Sequence, residues 1–196
     1  MTDSLSTSIS DRAYEIIKEL STQKDISEVL EIGCWDGSFV ELLRLYRYNA
    51  YGIDIQDKLG KKGVDGGYLR QCNAISMDEK LFGSMSFDLI LANRIMCRNT
   101  VASLISERYF EPILDGLKKT PSLKTMLGIQ GFAGNITQQQ NELILKASFK
   151  KLKPGKYFVA VESDSEQFGF NEQDAQKIGY TVIRYKPNEA ILQKPE

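Results

Sequence analysis

Apolar and polar positions along this chain follow two alternating periods. Between Ser10 and Leu20, apolar side chains recur at Ala13, Tyr14, Ile16, Ile17 and Leu20. That spacing predicts an amphipathic helix, with Ser8 and Ser10 as candidate N-caps. Val29 to Ile32 is a short, mostly apolar run stopped by Gly33, which predicts a buried strand. Ser38 to Tyr48 returns to helical spacing, with Phe39, Leu42, Leu43 and Tyr46 on one side. Ala50 to Ile55 predicts a second strand that ends near Asp54, Tyr68 to Ala74 a third, and Phe87 to Asn93 a fourth. The glycine- and lysine-rich run from Lys58 to Gly67 predicts a loop.

The pattern is less regular from Arg94 to Ile136. Thr100 to Leu117 predicts a helix, with Leu104, Ile105, Phe110 and Leu114 as core candidates; the segments KTPSLKT and GIQGFAGN predict a break and a loop. Thr137 to Leu152 predicts another helix, capped by Thr137, with Leu143, Ile144, Ala147 and Leu152 inward and Pro154-Gly155 ending it. KYFVAVE, from Lys156, predicts a fifth strand, and Gln173 to Ile178 a short helix closed by Gly179. YTVIRY and EAILQK, joined by KPN, predict an antiparallel hairpin. Strands alternating with helices imply right-handed crossovers and a mostly parallel, seven-stranded, doubly wound α/β sheet covered on both faces, closed by the C-terminal hairpin. No linker or repeat divides the chain, so one domain is expected over residues 1–196, with an N-terminal helical segment over 1–25 and an insertion over 94–136.

Composition changes this picture only by exclusion. Net charge is −1 over 196 residues, which leaves no electrostatic footprint for nucleic acid or an anionic membrane. The apolar runs are too short for a membrane span, and the N-terminus lacks the basic head and apolar stretch of a secretory signal. Cys34, Cys72 and Cys97 are odd in number and far apart, a pattern that suits a reducing cytoplasm rather than a disulfide framework or a zinc site. There is no histidine, which removes the commonest metal ligand and the usual base near neutral pH.

The chemistry is concentrated in VLEIGCWDGSF, Val29 to Phe39, which holds the only tryptophan, Trp35, between two glycines. In parallel α/β sheets ligands bind at the carboxyl ends of strands, where strand order reverses and helix N-termini face the ligand. A dinucleotide loop would read G-x-G-x-x-G; from Gly33 this chain reads G-C-W-D-G-S, so both later glycines are missing and a nicotinamide cofactor fits poorly.

The same stretch resembles the first motif of the class I S-adenosylmethionine-dependent methyltransferases, an acid followed by G-x-G-x-G, here Glu31, Gly33, Trp35 and Gly37. The resemblance continues in order through GIDI, QCNA, SFDLILAN and ASFKKLKPGKYFVAV, from about Ile26 to Val161, and includes the closing hairpin. It implies S-adenosyl-L-methionine as cofactor. Gly33 and Gly37, with Cys34 and Trp35 between them, would line its methionine moiety and ribose. Glu31 would organise the loop and reach the amino group, directly or through water. Asp54 would hold the ribose hydroxyls, Ile55 would lie against the adenine, Asn73 would meet the adenine amine beside Ala74, and Asn93 would sit under the transferable methyl. Two positions depart from the motif: Trp35 replaces the middle glycine, and Asn73 replaces an acid. Trp35 has three readings: its indole packs outside the loop on the N-terminal helix, caps the cofactor or acceptor, or blocks the site.

The resemblance also implies that residues 94–136 form a lid or wall of the acceptor site. Among the aromatic residues, Phe132, Phe168 and Phe170 are the better candidates for that pocket, ahead of Tyr109 and Phe110. Cys97 lacks a histidine partner and is read as an incidental thiol. The fourth strand ends LANRIM, without the Asn/Asp-Pro-Pro-aromatic motif of nucleic-acid amino methylases. A small-molecule acceptor is therefore expected first and a protein group second. A non-catalytic partner subunit and, further off, an NAD(P)-dependent oxidoreductase remain as other classes. Oligomeric state is not legible.

Overall fold

The computed structural model describes residues 3–77, 83–93, 95–96, 138–162 and 167–196. The expectations for Arg94, Cys97, Tyr109, Phe110, Phe132, the helix over 100–117, the glycine-rich loop that follows, the Thr137 cap and the 94–136 insertion lie outside the described residues.

The elements are α1 (Asp3–Gln23), β1 (Glu28–Ile32), α2 (Ser38–Leu45), β2 (Asn49–Asp54), α3 (Lys61–Asp65), β3 (Leu69–Gln71), a 3₁₀ turn (Ala74–Ser76), β4 (Phe87–Asn93), α4 (138–151), β5 (Leu152–Val161), α5 (Glu172–Ile178), β6 (Thr181–Lys186) and β7 (Glu189–Gln193). The strands form one seven-stranded sheet in the order β3-β2-β1-β4-β5-β7-β6. β3, β2, β1, β4 and β5 run parallel, while β7 is antiparallel to both β5 and β6. Strand order therefore reverses between β1 and β4, whose carboxyl ends lie side by side with Glu31 paired to Leu91 and Ile32 to Ala92.

The sheet is apolar on both faces because helices cover both. Val29, Leu89, Leu91 and Val159 pack with Ala13, Ile17, Val40 and Leu43 of α1 and α2. Leu30, Ile90, Ala92 and Phe158 pack on the other side with Ile144, Leu145 and Ala147 of α4 and Ala175 of α5. The period of two along each strand sends alternate side chains to these two layers.

Several boundaries differ from the sequence expectation. α1 begins at Asp3, so neither Ser8 nor Ser10 is its cap. α2 ends at Leu45 rather than Tyr48, since Arg47 takes a left-handed conformation with φ 70°; Leu42 and Tyr46 are exposed rather than inward. Leu143 also faces solvent. The expected loop after β2 contains α3, whose Gly63 is buried because a side chain there would meet Leu69. The third strand is only Leu69–Gln71; Asn73 leaves it by capping the 3₁₀ turn, accepting from Ile75 N at 3.0 Å. Pro154-Gly155 falls inside β5, in an excursion between the Phe87–Leu152 and Leu89–Tyr157 pairs.

At the amino end of β4 a buried carboxylate closes the sheet. Asp88 Oδ2 accepts from Ser27 N at 3.1 Å, Ser27 Oγ at 3.1 Å and Glu28 N at 3.0 Å. Its Oδ1 lies 3.0 Å from Lys153 Nζ and 3.4 Å from Lys156 Nζ. Burial alone would raise its pKa, but these donors overcome that and hold it well below the usual carboxylate range.

Candidate functional site

The loop from Gly33 to Gly37 leaves β1 at the reversal point. Gly33, Trp35 and Gly37 are all left-handed, with φ of 77°, 52° and 85°. Alternate left-handed residues explain the spacing of the motif, since glycine adopts that conformation without steric cost. For Trp35 the same conformation costs about 1–2 kcal/mol. The sequence offsets that strain through Asp54: Oδ2 accepts from Trp35 N at 2.8 Å, while Oδ1 accepts from Gln56 N at 2.8 Å. Gly33 N and Cys34 N both donate to Ile53 O, at 2.8 and 3.1 Å, and Gly37 N donates to Cys34 O at 2.8 Å. The loop is thus tied to the end of β2 before any ligand arrives.

The two glycines have further reasons to be glycine. A Cβ on Gly33 would stand 2.2 Å from Ile95 Cγ2, and one on Gly37 would stand 2.3 Å from Leu69 Cδ1. Gly37 therefore lets β3 pack against the loop. Cys34 turns inward: its thiol is buried, lies 2.7 Å from where a Gly52 Cβ would stand, and has its pKa pushed up by burial and by Glu31 and Asp54. Its N–H and carbonyl are both engaged, so it offers no free polar group to a ligand. The Trp35 side chain is 50% exposed, with Lys58 Nζ 4.3 Å from its ring centroid. The indole is therefore not buried against α1.

Beneath the loop, Glu31 and Asn93 meet across β1 and β4. Asn93 Nδ2 donates to Glu31 Oε1 at 3.2 Å. Glu31 Oε2 and Asn93 Oδ1 are buried and have no hydrogen-bond partner among the described residues. Glu31 is 2% exposed, and burial pushes its pKa up to about 8, with Asp54 and Asp36 adding to the rise and the Asn93 amide opposing it. Two orphaned acceptors at the reversal point demand an account, since buried polar atoms are nearly always paired.

The remaining predicted positions lie around this centre. Ile55, after Asp54, is exposed at 41%. Asn73 already gives its side-chain carbonyl to Ile75 N, and Ala74 packs against the core. Phe168 and Phe170 are buried in the core layer under α4 and α5 and pack against half-buried Tyr185, with ring centroids 5.1–5.9 Å apart. Their flanking glycine suggested a loop, but the aromatic cluster is satisfied internally.

Sequence reasoning missed the support of the segment after β4. Glu162, at the carboxyl end of β5, accepts from Met96 N at 2.6 Å. Asn141 Nδ2 and Gly169 N both donate to Met96 O, each within 2.9 Å. This clamp fixes Met96 and, beside it, Ile95 against Gly33. The available signal was a lone acid directly after the apolar run of β5. Among the described residues no cluster of His, Cys, Asp and Glu could hold a metal ion, and no helix is long and apolar enough to cross a membrane.

No protein-family model matches the chain, and no curated protein does either. Solved structures do. A SAM-dependent methyltransferase from Methanosarcina mazei is similar at 14% identity and a TM-score of 0.52, over 88% of this chain and 95% of that one. The N-methyltransferase NodS from Bradyrhizobium japonicum is similar at 14% identity and a TM-score of 0.54, over 95% and 96%. DesVI from Streptomyces venezuelae is similar at 10% identity and a TM-score of 0.57, over 96% and 92%. With the strand order and the closing hairpin, these likenesses define the fold as that of the class I S-adenosylmethionine-dependent methyltransferases.

Proposed function

We propose that this protein is an S-adenosylmethionine-dependent methyltransferase acting on a small-molecule acceptor, with a protein group as the next acceptor class. The observation that carries this reading is the pair of orphaned buried acceptors, Glu31 Oε2 and Asn93 Oδ1, under a left-handed loop at the strand reversal. They suit the α-ammonium of the cofactor, which brings three N–H donors and a positive charge. Asp54 keeps lone pairs beyond the two used for the loop, enough to accept from ribose hydroxyls. The exposed face of Ile55 suits an adenine ring, with Asn73 and Ala74 at its edge. Gly33 and Gly37 supply the bend that brings the loop backbone to the ligand, and Trp35 covers its outer side together with Lys58.

When bound, the cofactor supplies an activated methyl: the acceptor lone pair forms a bond to the methyl carbon as the carbon–sulfur bond breaks and its electron pair returns to sulfur. The chain's part is alignment and exclusion of water, for which about 7–11 kcal/mol is available from positioning alone. That division of labour suits a protein without histidine. The Glu162 clamp on Met96 holds the segment after β4 in place, next to Asn93. One sheet joining all the described strands supports reading the chain as a single domain. Free Cys34 and Cys72 support a cytoplasmic setting.

A second reading is favoured by one likeness: the [4+2]-cyclase SpnF shares this fold at 13% identity and a TM-score of 0.51, over 90% of this chain and 58% of that one. The fold therefore does not compel methyl transfer, and a different reaction on the same fold is the alternative that this likeness favours. Titration with S-adenosylmethionine and S-adenosylhomocysteine, followed by the fluorescence of Trp35 and by calorimetry, tests the site. Saturable binding that weakens at least tenfold in Asp54→Ala is expected. Absence of both heat and a fluorescence change at millimolar ligand would overturn the cofactor reading.

A further inference from the structure

Glu31 is an unusual group to leave inside a protein. Its carboxyl is buried, one oxygen has no partner, and its sole hydrogen bond comes from a neutral amide. The charged groups that face it are Asp54 at the end of β2 and Asp36 in the glycine loop, both acidic, with the buried thiol of Cys34 beside them. Among the described residues no lysine or arginine pairs with it. Among the described residues nothing compensates a carboxylate in such company, which favours Glu31 as the neutral acid.

A proton on Glu31 supplies a single donor to this pair of oxygens. An ammonium group can serve both. Placing that cation against a neutral acid would bury an uncompensated charge; placing it against the carboxylate forms a desolvated, hydrogen-bonded ion pair. Resting on the cofactor reading above, we propose that the α-ammonium of the cofactor is received by Glu31 and Asn93 and that its binding expels the proton of Glu31, so that loading of the site is coupled to release of one proton.

The direction of the effect follows from two titrations. Glu31 without ligand is pushed up to about 8, and an α-amino group beside a carboxylate, as in S-adenosylhomocysteine, titrates above the roughly 7.7–8.0 of a chain N-terminus. Below both values the amine is charged and Glu31 is protonated, so binding releases a proton and affinity rises about tenfold per pH unit as pH increases. Above both, Glu31 is already ionised and the free amine is neutral, so binding takes a proton up and affinity falls again. Affinity therefore peaks between the two pKa values.

Calorimetry of S-adenosylhomocysteine binding to the intact protein at pH 6.5, in phosphate and in Tris, counts the proton directly, because a released proton is taken up by the buffer and adds the reverse of the buffer's ionisation heat. The expected result is release of close to one proton per site, no release for 5′-methylthioadenosine, which keeps the nucleoside but lacks the amino group, and loss of both the release and the acid-side pH dependence in Glu31→Gln. Far-UV circular dichroism shows whether that variant is folded, and the wild-type count with the two ligands stands without it. Equal heats in the two buffers for wild-type protein that binds S-adenosylhomocysteine would overturn the coupling while leaving the cofactor reading intact. Release that persists in folded Glu31→Gln, or that appears equally with 5′-methylthioadenosine, would assign the proton elsewhere. Absence of binding by both ligands would overturn the cofactor reading and the coupling together.

Discussion

Glu31 and Asp88 are buried acids on neighbouring strands of one sheet, at opposite ends. Asp88 stands at the amino end of β4, where three donors from Ser27 and Glu28 and two lysines saturate it. Glu31 stands near the carboxyl end of β1, with one amide partner and an orphaned oxygen. The two pKa shifts run in opposite directions for this reason. The amino end of the sheet is complete without a ligand, while the carboxyl end is left electrostatically open. In an α/β sheet that asymmetry separates the end that stabilises from the end that binds.

The comparison can be broken most severely at Asp88. Asp88→Ala strands two backbone N–H groups and the partners Lys153 and Lys156, and should cost about 3–5 kcal/mol in urea unfolding. A loss below about 1 kcal/mol would mean that the network is not structural. At the other end, Gly33→Ala forces a side chain into a left-handed position already crowded by Ile95. About 2 kcal/mol of destabilisation is expected, with loss of S-adenosylhomocysteine binding; unchanged binding would free the loop from its assigned role.

Unfolding as a function of pH sharpens the contrast. Glu31 has its pKa raised from 4.5 to about 8, so the folded chain holds its proton more tightly than the unfolded chain. Its contribution is fully present below about 4.5 and is lost as pH rises to about 8, at a slope of up to about 1.4 kcal/mol per unit. Glu31→Gln should abolish that decline. Asp88 has a lowered pKa, so its contribution is present above the ordinary aspartate value and lost as pH falls through the folded one. Asp88→Asn should therefore flatten only the acid side. If both variants flatten the same window, the assignment of opposite shifts fails. The smallest effect belongs to Lys58→Ala, which removes a half-exposed cation–π contact and should change stability by about 0.5 kcal/mol while shifting the emission of Trp35.

The fold was largely legible because its strands are buried on both faces. β4 was expected over Phe87–Asn93 and is found there, a run too apolar for any half-exposed element. Local composition misled where a tertiary contact decides. Of the glycines that suggested a loop after β2, Gly63 and Gly66 serve the packing of α3 on Leu69 and Tyr68. Lys151 and Lys153, where α4 gives way to β5, are drawn to Gly83 O and Asp88. At the candidate site, Glu31, Gly33, Asp54 and Asn93 were legible as residue types in a spacing, and the structure brings them together. What spacing could not supply was their state: that Asp54 already braces Trp35, that Cys34 faces inward, and that one oxygen of Glu31 is left without a hydrogen-bond partner among the described residues.

The order β5-β7-β6 places the strand nearest the end of the chain inside the sheet, where Glu189–Gln193 pairs on both sides and is buried at Glu189, Ala190, Ile191 and Leu192. During synthesis β5 therefore emerges with a long apolar edge that stays unpaired until about thirty further residues have cleared the ribosome, an open template for pairing with other chains. A stop codon or frameshift that removes only these last strands leaves every residue of the candidate site encoded. The product should nonetheless fail in the cell by aggregation and clearance, a loss of abundance rather than of chemistry.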